Sequence, residues 1–162
     1  MTAIHLRPVN WADRHHLRMW RNDPVTRANS LSHDVVSQQE HEAWLAASLA
    51  MPNRKLVMIE RASTPVGVLR FDAAGHGKIE VSINIAPTAR GQGVGRRALA
   101  RCTSLALQYW PEAAELFARI LPGNDASLRA FQRAGFVGDK GADRACDEQC
   151  DAAPYVVLRL RL

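Results

Sequence analysis

The chain has 162 residues, a formal net charge of +5 and a sequence pI near 9.6. The length favours one domain, residues 1–162, and the lack of a signal peptide and of a long apolar run favours a cytoplasmic protein that does not contact membranes. The arginines are scattered and few aromatic residues lie among them, so the positive charge indicates ligand phosphates rather than nucleic acid.

The first half of the chain predicts one strand, two helices and two more strands. Residues 4–8 form the first strand, and Asn10 caps a helix that ends at the turn of residues 21–24. Ser37 and Glu40 form a capping box that opens the second helix, which Pro52 ends. Strands at 55–60 and 66–72 follow, with a turn at 61–65 between them.

The next strand, residues 78–85, alternates strictly between apolar and polar side chains. The apolar face comprises Ile79, Val81, Ile83 and Ile85, and the polar face Lys78, Glu80, Ser82 and Asn84. This alternation predicts a β-strand.

The second half of the chain predicts two helices and two strands. Apolar residues recur at helical spacing from Val94 to Tyr109, before Pro111 ends the run. A strand at 116–121, a helix from Asn124 to Gly135 and a final strand at 155–162 complete the chain. This order predicts an α/β fold with a mixed, mostly antiparallel central sheet and helices on both faces.

A glycine-rich loop joins the alternating strand to the helix that follows it. It reads Arg90-Gly91-Gln92-Gly93-Val94-Gly95-Arg96. Glycines let backbone N–H groups approach an anion closely, and the first turn of a helix adds unpaired donors. The loop is not a dinucleotide fingerprint, because Arg96 stands where the third glycine belongs, and no Gly-Lys-Ser/Thr tripeptide marks a nucleoside-triphosphatase loop.

Two segments carry a family resemblance. Arg90-x-x-Gly93-x-Gly95 resembles the pyrophosphate loop of the GNAT acetyltransferases, and residues 124–136, Asn-x-x-Ser-x-x-x-Phe-x-x-x-Gly-Phe, resemble the second signature of that family. Residues 20–24, Trp-Arg-Asn-Asp-Pro, and 40–45, Glu-His-Glu-Ala-Trp-Leu, resemble the N-terminal half of the branch that acetylates nucleotide-linked amino sugars of the pseudaminic acid pathway. The same region is also similar to the N-terminal acetyltransferases of ribosomal proteins. The resemblance implies a GNAT-like acyl-CoA N-acyltransferase domain with acetyl-CoA as co-substrate.

The resemblance also implies where acetyl-CoA binds. Backbone groups around Ile83 and Ile85 would pair with the pantetheine arm, and the amides from Gly91 through Arg96 would hold the pyrophosphate, with Val94 presenting only its backbone. Arg90, Asn124 and Phe131 would complete the donor site.

Glu80 is the predicted general base. Alternation places it beside Ser82 and Asn84 on a covered face of the sheet, where a carboxylate is costly without a function or a partner. Many family members carry a glutamate at the matching place and use it to take the amine proton. The alternative is that Glu80 pairs with a nearby lysine or arginine.

Phe131 departs from the family pattern. The second signature most often has a tyrosine there that protonates the leaving CoA thiolate, and a phenyl ring cannot do so. Ser127 or water takes over this task, or the thiolate leaves unprotonated, or the chain is a catalytically silent acyl-CoA-binding module. CoA is a good leaving group, so an active enzyme is expected.

The acceptor is predicted to be a small primary amine, with a nucleotide-linked amino sugar as the leading candidate and a ribosomal-type protein N-terminus as the alternative. Trp20, Arg21 and Asn22 are the candidate acceptor residues, together with Ser82 and Asn84. The competing interpretation makes Trp20 and Trp44 core aromatics, and Arg21 and Asn22 the cap of a helix. A homodimer is an open option.

The cysteines do not predict a metal site. Cys102, Cys146 and Cys150 are an odd number without a Cys-x-x-Cys pair, which favours reduced thiols. Cys102 lies on the apolar stripe of its helix and is predicted to be core. No metal is expected.

Overall fold

A computed structural model describes residues 3–138 and 155–162 of the chain. The strands are β1 (Ile4–Pro8), β2 (Arg54–Arg61), β3 (Thr64–Ala73), β4 (Lys78–Ile85), β5 (Glu115–Ile120), β6 (Val137–Gly138) and β7 (Val156–Arg161). The helices are α1 (Arg14–Arg21), α2 (Pro24–Ala28), α3 (Gln38–Ala50), α4 (Val94–Leu99), α5 (Cys102–Tyr109) and α6 (Asp125–Arg133). Cys146 and Cys150 lie outside the described residues.

The strands form one seven-stranded sheet in the order β1-β2-β3-β4-β5-β7-β6. Within it β4 and β5 run parallel, and the other neighbouring strands are antiparallel. Helix α4 packs over Ile83 and Ile85 of β4 through Gly95, whereas Thr26 of α2 bonds Asn84 on the opposite face. The predicted α/β fold with a mixed sheet is therefore confirmed.

Both faces of the sheet contribute to one continuous apolar core. Its largest fully buried side chains include Trp20, Phe71, Phe131, Phe136, Leu45 and Met58. Cys102 is buried in the same core, as its place on the apolar stripe predicts, and burial raises the pKa of its thiol to about 11. Its thiol is therefore protonated and unreactive at neutral pH.

The predicted capping box of Ser37 and Glu40 is present at the start of α3. The predicted cap Asn10 also forms a box, with Asp13, around a short 3₁₀ turn that leads into α1. Each box satisfies backbone donors that the first turn of a helix leaves unpaired.

Three predicted boundaries are wrong. The helix expected from Val94 to Tyr109 is interrupted after Leu99, where the Arg101 N–H bonds the Ala98 carbonyl three residues back. No glycine or proline marks this tightening. The turn after α1 contains a further helix, α2, which Asp23 caps and Pro24 opens. The β2–β3 turn comprises residues 62–63 rather than 61–65, because Thr64 already pairs with Arg61.

Candidate functional site

A cavity of about 1130 Å³ lies where β4 and β5 separate. These strands pair only as far as Glu80 opposite Phe117. Beyond that point they diverge, and the cavity opens between the end of β4 and Ile120 on β5. Ordinary small-molecule sites occupy roughly 300–1,000 Å³. The volume of this cavity is therefore slightly above the ordinary range.

The second half of β4 forms one wall of the cavity. Ser82, Ile83, Asn84 and Ile85 are all half-buried and all line it. On the far side they pair with β3, but past Glu80 they have no β5 partner. An unpaired strand edge can bind an extended ligand as an additional strand. This edge has the geometry that the resemblance implies for the pantetheine arm.

The glycine loop forms the donor end of the cavity. Gly91 and Gly93 have φ of +72° and +71°, a backbone conformation that favours glycine, and an added Cβ would meet nothing within 4 Å at either position. Gly93 begins α4 without a side-chain cap, so no side chain blocks the first amides of that helix. Gly91, Gly93, Val94, Gly95 and Arg96 line the cavity, and Gln92 is not among the lining residues.

Helix α6 covers the donor end from the other side. The Asn124 side chain accepts a hydrogen bond of 3.2 Å from the Ser127 backbone N–H and caps the helix. Asn124, Ser127 and Phe131 line the cavity. Phe131 is only 1% exposed and packs edge-on against Phe136 at 5.0 Å between ring centroids. Its ring is thus mainly a core group.

Glu80 lies at the fork of β4 and β5. Both of its carboxylate oxygens accept hydrogen bonds of 2.9 Å from Arg119 on β5, so the alternative of an arginine partner is realised. Each carboxylate oxygen has a second lone pair, so the pairing does not prevent a further hydrogen bond. The Arg119 guanidinium also lies 5.5 Å from the centre of the Tyr155 ring, and all three residues line the cavity.

Residues of α1 and α3, among them Arg21 and His41, form another part of the cavity wall. Arg21 donates one hydrogen bond of 3.1 Å to the Ser32 carbonyl, while its Nη1 is buried without a hydrogen-bond partner among the described residues. His41 is buried, and its Nδ1 also has no partner in that part of the chain. Burial, with a smaller contribution from Arg18, lowers the pKa of His41 below its ordinary value, so its imidazole is neutral at pH 7.

Two of the predicted acceptor residues do not face the cavity. Trp20 is 2% exposed in the core, and Asn22 uses both ends of its amide to bond the Val36 backbone at 2.8 Å. Neither residue lines the cavity, which favours a core position for Trp20 and a structural role for Asn22. Trp44, by contrast, is 37% exposed and lines it. Both tryptophans have helical apolar spacing, which does not distinguish a core position from a cavity wall.

Arg90 and Gln92 make protein contacts. Arg90 forms an ion pair of 2.7 Å with Asp23 and donates to Thr26 at 2.9 Å. The Gln92 side chain bonds Arg61 and the Thr88 carbonyl. Ligand binding through Gln92 would therefore use its backbone, as the resemblance implies.

Sequence reasoning missed many lining residues, among them Thr26, His41, Arg119 and Tyr155. A signal existed for two of these four. Asp-Pro at 23–24 is a typical helix start and would have indicated the helix that carries Thr26. Alternation along 116–121 would have put Arg119 on the face opposite the buried Leu116 and Ala118. The placement of His41 and Tyr155 depends on tertiary packing.

No helix among residues 3–138 and 155–162 is both long and apolar enough to cross a bilayer. In these same two ranges, no group of three or more histidine, cysteine, aspartate and glutamate side chains is arranged to hold a metal ion.

Comparisons with known proteins address the family. The model of the acetyltransferase (GNAT) domain matches residues 3–137. No curated protein matches the chain at a significant level.

Solved structures share the fold. A ribosomal-protein-alanine N-acetyltransferase from Brucella melitensis has a TM-score of 0.77 at 22% identity, covering 98% of this chain and 99% of that one. A spermidine N-acetyltransferase from Vibrio cholerae, solved with CoA and spermine, has a TM-score of 0.80 at 16% identity, covering 98% and 94%. An aminoglycoside acetyltransferase solved with coenzyme A has a TM-score of 0.81 at 16% identity, covering 98% and 95%.

The three structures agree with this chain in fold, and the family model agrees with it in sequence. Because that model spans residues 3–137, most of the chain, the protein belongs to the GNAT acetyltransferases, the acyl-CoA N-acetyltransferases that use acetyl-CoA as co-substrate.

Proposed function

We propose that this acetyltransferase acts on a primary amine whose carrier also bears an anionic group, with a nucleotide-linked amino sugar as the leading acceptor. The observation that supports this is Arg21, which lines the cavity and whose buried Nη1 has no hydrogen-bond partner among the described residues. A buried, unpaired donor is costly, and a carboxylate or phosphate is the ligand that a guanidinium binds best.

The charges along the cavity argue against a polycationic acceptor. The acidic lining residues in the described part of the chain are Asp34, Glu40 and Glu80. Glu80 is paired with Arg119, and Glu40 is bound to the Ser37 N–H in its capping box. The spermidine and aminoglycoside acetyltransferases described above are named after cationic acceptors. A cavity with Arg21 at its acceptor end and little free acidic charge is a poor match for such molecules.

A protein N-terminus is the alternative acceptor, and the fold shared with the Brucella enzyme supports it only at the level of architecture. A peptide chain would meet the exposed apolar residues Val25, Leu31, Val35 and Trp44, which line the same end of the cavity. A screen that reads CoA thiol release with nucleotide amino sugars, ribosomal N-terminal peptides and polyamines separates these classes.

The proposed reaction needs one base and one acid. Glu80 takes a proton from the ammonium, directly or through water, and the free amine nitrogen then attacks the thioester carbonyl carbon. The nitrogen of the resulting tetrahedral intermediate loses its extra proton to solvent, the C–S bond breaks, and the CoA sulfur accepts a proton from an acid that solvent then reprotonates. Phe131 cannot supply that proton, so Ser127 and Tyr155, which both line the cavity, are the candidate donors.

The donor loop is tested by Gly93→Val. Acetyl-CoA at about one hundred times its Kd should stabilise the wild-type protein by about 2.7 kcal/mol, because it binds the folded state alone. The variant should lose this shift, since valine disfavours positive φ and blocks the ligand's approach to the backbone. Thermal unfolding with and without acetyl-CoA measures both.

The control for this loop is Gly75→Val. Gly75 also has positive φ, +86°, and open space around it, but lies in the β3–β4 turn outside the cavity. The Gly75→Val variant should carry similar backbone strain and keep the stabilisation by acetyl-CoA. A wild-type protein without any shift would contradict the donor assignment.

The base is tested by Glu80→Gln, which should lower kcat by roughly 10² to 10⁴ because glutamine cannot take the proton. The matched control is Glu115→Gln. Glu115 is similarly buried and pairs with Arg159 at 2.8 Å, but does not line the cavity. Steady-state CoA release measures both variants. Full activity in Glu80→Gln refutes the base role, and a wild-type protein that binds acetyl-CoA but releases no CoA with any amine is a silent module.

The acid is tested by Tyr155→Phe. If the phenol protonates the thiolate, kcat of the wild type falls at alkaline pH as the phenol ionises, and the variant has a lower kcat without that alkaline limb. Tyr109→Phe, which changes the other of the chain's two tyrosines, is the control and should match the wild type. A larger loss in Ser127→Ala than in Tyr155→Phe would assign the proton to Ser127, whereas wild-type pH profiles in both would mean that the thiolate leaves unprotonated.

The acceptor subsite is tested by Arg21→Ala. A hydrogen bond to a charged group contributes about 1.5–3 kcal/mol, so KM for the anionic acceptor should rise about tenfold or more while kcat and the acetyl-CoA Kd stay unchanged. Arg18→Ala, on the same helix but outside the cavity lining, is the control. An unchanged KM, or a polyamine as the preferred acceptor, contradicts the proposal.

A further inference from the structure

Arg90, the first residue of the glycine loop motif, forms three contacts with neighbouring segments of the chain. Its guanidinium forms the 2.7 Å ion pair with Asp23, donates to Thr26 Oγ1 at 2.9 Å, and donates through Nε to the Ile85 carbonyl at 3.2 Å. Asp23 caps α2 and Thr26 lies within it, on the face of the sheet opposite α4. One side chain thus joins the donor loop, α2 and the end of β4.

Thr26 extends this connection into the cavity wall. Its hydroxyl accepts from Arg90 and lies 3.2 Å from Asn84 Oδ1, to which it can donate. With Oδ1 engaged in this way, the Asn84 amide is oriented so that its nitrogen remains for other contacts. Val25, Thr26 and Asn84 all line the cavity. The position of α2 therefore sets the shape of the acceptor wall.

Helix α2 cannot hold that position by itself. It has five residues, none of them buried, and isolated helices of that length are unstable in water. Asp23 both caps α2, through a 3.0 Å bond from the Thr26 N–H, and pairs with Arg90. Burial alone would raise the pKa of Asp23, but the Arg90 and Thr26 hydrogen bonds outweigh it and lower that pKa below its ordinary value. The carboxylate is accordingly ionised and fully available to the pair at neutral pH.

We infer that Arg90 is a positioning residue for the acceptor wall, and that the Asp23–Arg90 pair transmits occupancy of the donor loop to α2. The inference rests on the proposed function in one respect, namely that the glycine loop binds the CoA pyrophosphate. A ligand that orders the loop then also orders Arg90, and through it Asp23, Thr26 and Asn84. Acetyl-CoA binding thereby prepares the acceptor wall before the amine arrives.

Hydrogen–deuterium exchange with and without CoA tests this without a known acceptor. In the wild-type protein CoA should slow amide exchange both in the loop, residues 90–97, and in α2, by about fivefold or more for a coupling of ordinary size. In Asp23→Asn and Arg90→Met, at saturating CoA, the loop should remain protected while the protection of α2 is lost. Arg90→Lys keeps the positive charge and should retain part of the CoA-dependent protection of α2.

Arg96→Met is the matched comparison. Arg96 is an exposed arginine of the same loop that lines the cavity without an ion pair to α2. It should weaken CoA binding but, at saturating CoA, leave the protection of α2 intact, whereas Arg90→Met should leave the CoA Kd within about twofold of the wild type. This opposite behaviour separates a positioning residue from a pyrophosphate ligand.

The outcomes separate a failure of the proposed function from a failure of the coupling between the loop and α2. If CoA neither binds nor slows exchange anywhere in the wild-type protein, the proposed function fails, and the coupling fails with it. If CoA protects the loop but not α2, or protects α2 equally in Asp23→Asn and Arg90→Met, the coupling is refuted while the donor site stands. If Arg90→Met raises the CoA Kd as much as Arg96→Met does, Arg90 is a pyrophosphate ligand and the inference is overturned.

Discussion

The separation of two parallel strands is the constraint on which the site depends. β4 and β5 share hydrogen bonds only up to Glu80 and Phe117, and the remaining residues of β4 have a partner on one side only. The backbone groups of such a half-buried edge are satisfied by water or by an extended ligand that adds as a further strand. The cavity, its open edge and the entry to the glycine loop all follow from this divergence.

The same divergence determines where charge is concentrated. Glu80, at the last paired position of β4, is half-buried and meets Arg119, an exposed residue two positions beyond Phe117 on β5. A bidentate pair fixes both side chains more firmly than a single hydrogen bond would. The ion pair thus holds a carboxylate at the mouth of the fork, next to where an acyl group on an extended arm would lie, and this supports the proposed role of Glu80.

Local patterns were sufficient for most elements of the fold and for the backbone geometry of the glycine loop. Alternation along β4, the glycine loop and the Asn124 cap depend on neighbours in sequence, and the structure reproduces them. The acceptor side depends on contacts across the chain. Arg90 meets Thr26 over 64 positions, and only the folded arrangement buries Trp20 while leaving Trp44 at the cavity. Periodicity describes only neighbours in sequence, so it could not predict the contact between Arg90 and Thr26. It could not separate the two tryptophans either, because both have helical apolar spacing.

Phenylalanine at position 131 leaves α6 without the hydroxyl that would protonate the CoA thiolate from this position. A hydroxyl on α6 would have to reach the cavity to act as an acid, but the phenyl ring at this position is 1% exposed and completes an edge-on pair with Phe136. Its place in the structure is fixed by packing, so a proton source from α6 is limited to Ser127. The remaining candidate, Tyr155, stands beside Arg119 on the strand side of the cavity. In the proposed reaction, base and phenol would then both be organised by the guanidinium between them, and the fork of the sheet, rather than α6, would carry the proton transfers.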